Sequence, residues 1–151
     1  MNIQRLRQIQ EQILREPEHF AMEDYTIDCG TTCCIGGWAA KLAGAPVKSV
    51  YEFFFDGKPI GPNEYYRKFL DLTEAQAREL FNTTQWELDD DEFYFKSRAE
   101  QAQIASDYID YFIAKHNPEL AELEKIEESQ EEIIIDQVDR LMAKIYLKAS
   151  V

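Results

Sequence analysis

Three cysteines within six residues are the side chains of this chain best suited to chemistry. They are Cys29, Cys33 and Cys34. A thiol in the first turn of a helix has its thiolate stabilised by the positive end of the helix dipole. If Thr32 caps a helix here, Cys33 and Cys34 occupy that turn. The chemistry available to them would be nucleophilic catalysis, a redox switch or metal binding.

Nucleophilic catalysis by a thiol needs a histidine base and an Asn or Asp that orients it. The segment from Cys29 to Cys33, followed by a helix that contains a tryptophan, resembles the nucleophile segment of papain-like cysteine proteases. Those enzymes place the histidine and its partner well apart on sheet elements. Here the histidines are His19 and His116, and Asn117 directly follows the second. We therefore keep a thiol enzyme as an alternative and assign no catalytic residue.

Metal binding would draw on the same cysteines. His19 with Cys29 and either Cys33 or Cys34 supplies soft ligands within sixteen residues, but the Cys-x2-Cys pairs that grip zinc are missing. A redox switch between Cys29 and Cys33 would need their Cα atoms about 5.5 Å apart. The acidic run at 89–92 lacks the ligand spacing and the turn glycine of a calcium loop. We assign no metal ligand or cofactor-binding residue and expect no cofactor.

The stretch around the cysteines predicts a buried helix over residues 32–43. Thr31 or Thr32 is a good N-cap, and Gly44 stands where a left-handed residue commonly ends a helix. At about 100° per residue, large apolar side chains form one face and small ones form the other, which lets a neighbouring backbone approach. The large face holds Ile35, Trp38, Ala39 and Leu42, and the small face holds Cys33, Gly36, Gly37, Ala40 and Ala43. We expect a central helix, with Cys33 in the core and Cys29 and Cys34 near its rim.

The remaining pattern predicts an all-α fold of about six helices around the central helix. An amphipathic helix over 2–15 ends before Pro17, and capping boxes predict helix starts near Thr73, Ser97 and Ser129. The apolar side of the first helix would hold Ile3, Leu6, Ile9, Ile13 and Leu14, and Phe20, Met22 and Tyr25 would pack on the central helix. Residues 1–117 are expected to form a globular domain. The acidic segment 118–151 would pack on that domain or mediate dimerisation.

The aromatic region at 50–66 leaves its local structure open. The run Phe53-Phe54-Phe55 precedes Asp56-Gly57, which is a strong turn signal. The region 50–61 is therefore either a small β-hairpin or a helix that stops at Gly57. We interpret these aromatics, with Tyr65 and Tyr66 after them, mainly as core rather than as a ligand or partner surface.

The acidic residues are concentrated in one part of the chain. The formal net charge is −13, and residues 85–135 carry fifteen acidic against four basic residues. Such a surface repels nucleic acid and anionic membranes, so neither is expected as a partner, whereas a basic protein is attracted. No secretory signal or membrane span is visible in the 151 residues, and three clustered cysteines do not form a disulfide framework. These features favour the cytoplasm.

Two motifs resemble those of a group of small bacterial and phage proteins. Residues 29–39 match CGTxxCIAGWA, and residues 72–81 match LTxxQAxxLF. With a proline-aromatic-Met segment at 17–22 and Trp86, the similarity covers roughly residues 1–116. This chain departs from the first motif at Gly36, where alanine is usual. The resemblance implies a globular, helical fold and no particular activity.

We interpret the chain as a non-enzymatic, cytoplasmic protein-interaction module, and the resemblance adds a phage or mobile-element setting. An unknown, basic partner would meet the acidic face, or a partner would meet the aromatic segment at 50–66. The alternative is a thiol-dependent enzyme, a redox switch or a zinc-binding protein built on Cys29, Cys33 and Cys34. Homodimerisation through the segment 119–148 stays open, because its apolar spacing is only loosely heptad.

Overall fold

Helices dominate the part of the chain that the structure describes. The structure is a computed structural model, and it describes residues 1–22, 32–44, 53–86 and 93–119, together with 122–123, 130 and 134–135. Five α-helices and one hairpin have both ends within these residues, rather than about six helices, because the last predicted helices lie largely outside them. The elements are α1 (Ile3–Arg15), α2 (Ile35–Leu42), β1 (Phe53–Phe55), β2 (Lys58–Ile60), α3 (Pro62–Phe69), α4 (Glu74–Phe81) and α5 (Arg98–His116).

The first helix follows its predicted pattern with one exception. Asn2 caps α1, and its side chain accepts a hydrogen bond from the Arg5 backbone N–H at 3.1 Å. Leu6, Ile9 and Ile13 are fully buried, as their spacing predicts. Leu14, expected on the same side, is 44% exposed and lies at the edge of the buried stripe.

The central helix begins later than predicted. Cys33 is paired with Phe20 in an isolated parallel β-bridge, where its backbone N–H donates to the His19 carbonyl at 2.8 Å. A residue held in that bridge cannot adopt helical dihedral angles, so α2 starts at Ile35 instead of residue 32. The N-cap is therefore Cys34 rather than Thr31 or Thr32. At the other end Gly44 has φ +62°, the left-handed conformation that the sequence predicts.

The helix α2 contacts both α1 and α3 and is buried along its first six residues. A Cβ added at Gly36 would lie 2.5 Å from Cδ2 of Tyr66, and one added at Gly37 would lie 2.8 Å from the Cys33 Cβ. The small face predicted for this helix is therefore required, but it meets the Tyr66 ring of α3 rather than a neighbouring backbone. Leu42, predicted on the large apolar face, is 38% exposed.

The region 53–60 is a β-hairpin, which settles the alternative that the sequence leaves open. β1 and β2 are antiparallel, with Phe53 opposite Ile60 and Phe55 opposite Lys58. Asp56 and Gly57 have φ values of +50° and +74°, the pair of left-handed residues that a two-residue hairpin turn requires. The hairpin is predictable only through that turn signal, because a three-residue strand shows no usable periodicity.

The helices α3 to α5 begin at local signals that the sequence contains. The sequence predicts a helix that opens at Asn63, and α3 starts one residue earlier, with Pro62 at its first position after Gly61. Thr73 and Gln76 form a complete capping box at the start of α4, with bonds of 3.2 and 2.9 Å. Ser97 and Glu100 do the same for α5. The buried stripe of α5 is the predicted one: Ala102, Ala105, Tyr108, Ile109, Phe112 and Ile113.

A polar cluster joins α1 to α5. The Gln10 side-chain amide donates to the Ser106 carbonyl and hydroxyl, both at 3.0 Å, and to the Asp110 carboxylate at 2.8 Å. Arg7 also pairs with Asp110. Ser106 is 3% exposed, so its buried hydroxyl needs a partner. Gln10 donates one hydrogen bond to this hydroxyl, and its bonds together fix the register of α1 against α5.

Backbone contacts divide the chain into two units, Met1–Phe112 and Ile113–Val151. The predicted division between residues 117 and 118 stays a prediction, and the third capping box at Ser129 lies outside the described residues. Among the helices that are described, none has the combined length and apolarity required to cross a lipid bilayer.

Candidate functional site

The structure buries the described thiols. Cys33 is 1% exposed, which confirms its predicted place in the core, and Cys34 is 7% exposed. The expectation that Cys34 lies near the rim is wrong, because the N-cap position turns its sulfur inward, where it accepts the Gly37 N–H at 3.4 Å. Burial raises the pKa of Cys34 more strongly than this hydrogen bond lowers it, so the thiol stays protonated near neutral pH. Cys29 lies outside the described residues.

Tyr66 lies beside the two thiols and shares their environment. Burial raises the pKa of Tyr66 far above its ordinary value of 10.0, and the nearness of Cys34 and Cys33 raises it further. The Cys34 thiol and the Tyr66 phenol are therefore both neutral at physiological pH. A neutral, buried group of this kind stabilises the core and has the wrong protonation state for a nucleophile.

The contacts that the structure gives for the His19 side chain and for Asn117 are local ones. The His19 ring is 39% exposed and its Nε2 lies 3.7 Å from Glu18, while it is the backbone carbonyl of His19 that contacts Cys33. Asn117, next to His116, donates through its side chain to the Ile113 carbonyl at 3.4 Å and so helps to close α5. Within the described ranges no three His, Cys, Asp or Glu side chains are grouped as a metal site would require.

The aromatic region at 53–66 is mainly core, as interpreted. Phe53, Tyr65 and Tyr66 are each at most 6% exposed, and their ring centroids lie 4.9 to 6.4 Å apart. Phe54 points the other way, as strand alternation requires, and is 45% exposed. The acidic run at 89–92, considered above as a cation site, lies outside the described residues.

A different feature stands out among the described residues: Phe93 and Tyr94 are helical, and the chain then turns at Phe95 and Lys96 in a way that exposes a phenylalanine. The Lys96 N–H donates to the Phe93 carbonyl at 3.2 Å and closes the turn, with Tyr94 and Phe95 at its centre. Phe93 is buried at 1% exposure, whereas Phe95 is 88% exposed. Of the large apolar side chains in the described part of the chain, Phe95 is the most exposed.

One buried glutamine holds this turn in place. Gln101, in the first turns of α5, is 2% exposed. Its amide nitrogen donates to the carbonyl oxygens of Lys96 at 3.0 Å and Tyr94 at 3.4 Å, and its oxygen accepts from Arg98 at 3.0 Å. Because both donors and the acceptor are used, displacing the turn would leave buried polar atoms unpaired.

Stacked aromatic side chains hold the buried side of the turn. Phe93 packs edge-on against Trp86 with centroids 5.8 Å apart, and Trp86 stacks on Tyr108 of α5 at 4.5 Å. The Trp86 indole N–H donates to the Glu79 carbonyl of α4 at 3.2 Å. The Tyr94 hydroxyl lies 3.0 Å from the Thr83 hydroxyl. The turn is thus fixed to α4 and α5 while the Phe95 ring stays in solvent.

The capping box after the turn places a carboxylate close to it. Glu100 accepts hydrogen bonds from the Ser97 hydroxyl at 2.6 Å and from its backbone N–H at 2.9 Å. These bonds lower the pKa of Glu100, so the carboxylate stays ionised to lower pH than usual. The segment 87–92, directly before Phe93, contributes five acidic residues in six.

The sequence interpretation treats residues 83–95 as a loop and does not single out Phe95. The available signal is the aromatic triplet at 93–95 between an acidic run and the Ser97 cap, which shows a structured loop but not which ring is exposed. Comparison with known protein families, curated proteins and solved structures finds no match for this chain. Its function is therefore argued from the geometry of this turn.

Proposed function

We propose that the protein is a non-enzymatic protein-interaction module that inserts Phe95 into an apolar pocket of a basic protein partner. The observation that carries this proposal is the 88% exposure of Phe95 on a turn held by Gln101 and the Trp86 stack. We define the turn 93–96 with its exposed ring as the Phe95 turn.

The anchoring distinguishes Phe95 from an ordinary exposed apolar residue. Single apolar side chains on a surface are common and carry no meaning alone. A ring on a mobile loop loses conformational entropy when it binds, whereas the Phe95 turn is already ordered by buried hydrogen bonds. Burying a phenylalanine contributes about 1.5–3 kcal/mol, which is the size of an interface hot spot.

The acidic residues next to the Phe95 turn in the sequence support a basic partner. Five of them precede the turn at 87–92, and the chain as a whole has a formal net charge of −13. Complementary charge speeds the encounter and orients the two surfaces, so the partner pocket would be rimmed by Lys and Arg. The same charge opposes nucleic acid and anionic lipid. A cytoplasmic location, in a phage or mobile-element setting, belongs to this proposal and rests on the odd number of closely spaced cysteines and on the motif resemblance.

The test compares two exposed phenylalanines. Wild type, Phe95→Ala and Phe54→Ala are used to capture proteins from cells that encode this chain, and any protein lost only with Phe95→Ala is purified. We expect its Kd to weaken at least about tenfold for Phe95→Ala and to stay unchanged for Phe54→Ala. The Kd should also weaken as salt rises from about 50 to about 300 mM.

Two results would contradict the proposal. One is that no captured protein distinguishes wild type from Phe95→Ala. The other is that the purified partner binds Phe95→Ala normally, or binds with no dependence on salt. The thiol-based alternative gains no support from Cys33 and Cys34, since both are buried and the pKa of Cys34 is raised.

A further inference from the structure

A cleft lies between α3 and α4, and its walls contain no residue of the Phe95 turn. Its volume is about 700 Å³, within the range of small-ligand sites in proteins. Charged, amide and apolar side chains share its walls: Asn63, Glu64, Arg67, Glu74, Ala77, Arg78, Phe81 and Asn82. Each of the two helices contributes an arginine and a glutamate.

The charges of the cleft are balanced except at Arg67. Glu74 pairs with Arg78 at 3.1 Å, and Glu64 pairs with Lys68 at 3.5 Å. Arg67 donates to the Leu72 carbonyl at 3.3 Å and takes part in no ion pair within the described residues. The chain has 29 acidic and 16 basic residues, so a half-buried arginine without a carboxylate partner is unexpected in it. The Leu72 bond positions the guanidinium and leaves its other donors available.

We infer that the cleft binds a carboxylate carried next to an apolar group, with Arg67 as the partner of the carboxylate. A guanidinium presents two parallel N–H donors that match the two oxygens of a carboxylate. The adjacent apolar group would contact Ala77 and the Phe81 ring, which are on the wall formed by α4.

The other polar side chains limit the ligand further. Glu64 and Glu74 line the same cleft and disfavour a dianion such as phosphate, whereas a single negative charge compensates Arg67. The amides of Asn63 and Asn82 can bond to peptide groups beside the carboxylate. Two sources fit this chemistry: the C-terminus of a peptide with a large apolar last residue, and a small free acid.

The experiment uses four probes: the peptide Ala-Ala-Ala-Phe, its C-terminal amide, 3-phenylpropanoate and inorganic phosphate. Binding is followed by ¹⁵N NMR of the full chain, including the Arg67 side chain. We expect the free peptide or the free acid to shift Arg67, Ala77 and Phe81, and the amide and phosphate to bind at least about tenfold more weakly. If only the peptide binds, a C-terminus is the source; if only 3-phenylpropanoate binds, a small acid is.

Variants distinguish a specific contact of the Arg67 guanidinium from the effect of positive charge elsewhere on the protein. Arg67→Gln should weaken binding at least about tenfold, and Arg67→Lys should weaken it less, because it keeps the charge but loses the planar fork. Arg15→Gln, an exposed arginine of α1, is the matched control and should bind as wild type. Thermal unfolding checks that each variant folds. If Arg67→Gln does not fold, the binding of the carboxylate probes to Arg67→Lys tests the role of Arg67.

The inference is overturned if no probe shifts the cleft residues at about 10 mM, a concentration at which even weak ligands bind. It is also overturned if the amide or phosphate binds as tightly as the free carboxylates, or if Arg67→Lys and Arg67→Gln bind like wild type. Phe95→Ala should bind the carboxylate probes normally. Failure here therefore leaves the partner proposed for the Phe95 turn untouched, and the reverse also holds.

Discussion

At Gly36 a single hydrogen atom occupies the space beside the Tyr66 ring. A methyl group there would lie 2.5 and 2.6 Å from two ring carbons, far inside van der Waals contact. The ring cannot easily move away, because it also packs edge-on against Phe53 and Phe81 at 5.6 and 5.9 Å. Gly36 is therefore needed for close packing between α2 and α3, and not for an unusual backbone conformation.

We predict that Gly36→Ala lowers the free energy of unfolding by about 1–3 kcal/mol, the usual effect of overpacking a core. Urea denaturation measures the change. Gly61→Ala is the control, because nothing lies within 4 Å of its added Cβ, and it should cost less than about 1 kcal/mol. In a Tyr66→Leu background the Gly36→Ala change should be milder, with a coupling energy of about 0.5–3 kcal/mol. Additive effects would contradict the steric explanation.

The sequence predicts which α2 residues must be small but not what lies against them. A helix wheel relates positions within one helix, and Tyr66 is thirty positions from Gly36. Similarly, Cys34 is predicted at the rim because the wheel assumes a helix that starts at residue 32. The aromatic triplet at 93–95 indicates a structured loop but not that the Phe95 ring is exposed, and nothing in the sequence shows that Arg67 lacks an ion pair, since both depend on long-range contacts.

The junction between the Phe95 turn and α5 depends on a few side chains. Ser97 and Glu100 cap the helix, and Gln101 one residue later bonds to the turn. The two sets of bonds share one turn of backbone. A change that destabilises the first turn of α5 should therefore also make the Phe95 turn less ordered.

We predict that Ser97→Ala raises the pKa of Glu100 toward its ordinary value of 4.5, because the hydroxyl bond is the main cause of the lowered value. A group with a lowered folded-state pKa stabilises the fold above its unfolded pKa, and this contribution is lost as pH falls through the folded one. The free energy of unfolding of Ser97→Ala should therefore decrease less than that of wild type as pH falls. An NMR titration of Glu100 and denaturation between about pH 3 and pH 7 measure both effects.

The comparison for this prediction is Glu100→Gln, which keeps a capping group but removes the charge. In that background Ser97→Ala should change stability without changing its dependence on acid. An unchanged Glu100 titration in the single variant would contradict the proposed role of Ser97.

The start of a helix or strand can be predicted from the sequence when nearby residues determine it. It cannot be predicted when pairing with a distant residue determines it. The capping boxes at Thr73 and Ser97 and the Asp56-Gly57 turn lie where the sequence places them. The start of α2 is displaced because Cys33 pairs with Phe20, thirteen positions earlier. A β-bridge of one residue has no periodic pattern, so sequence reasoning extends the helix through it.

The stability of the fold as a whole should respond to alkaline pH. Burial raises the pKa values of Cys34, Tyr65 and Tyr66. Each folded-state pKa lies above its unfolded value, so the native chain holds these protons more tightly than the unfolded chain. The stabilising contribution is complete below the ordinary values of 9.0 for the thiol and 10.0 for the phenols, and it is lost as pH rises beyond them.

We predict that the free energy of unfolding falls steadily above about pH 9, by at most about 1.4 kcal/mol per pH unit for each group. Tyr66→Phe should lessen the fall above about pH 10, and Cys34→Ala should lessen the part that begins near pH 9. Urea unfolding at a series of pH values measures both. A wild-type profile that stays flat to about pH 11, or one unchanged by Tyr66→Phe, would show that these groups titrate normally.

The contact between Gly36 and Tyr66 also has an evolutionary consequence. The two positions cannot vary independently, because alanine at 36 clashes with the large ring and a small residue at 66 leaves a void beside glycine. Any relative of this chain that has alanine at the position of Gly36 should therefore carry a smaller or displaced side chain at the position of Tyr66. Each single change is unfavourable, so the substitutions should appear together in an aligned family, although thirty residues separate them in the chain.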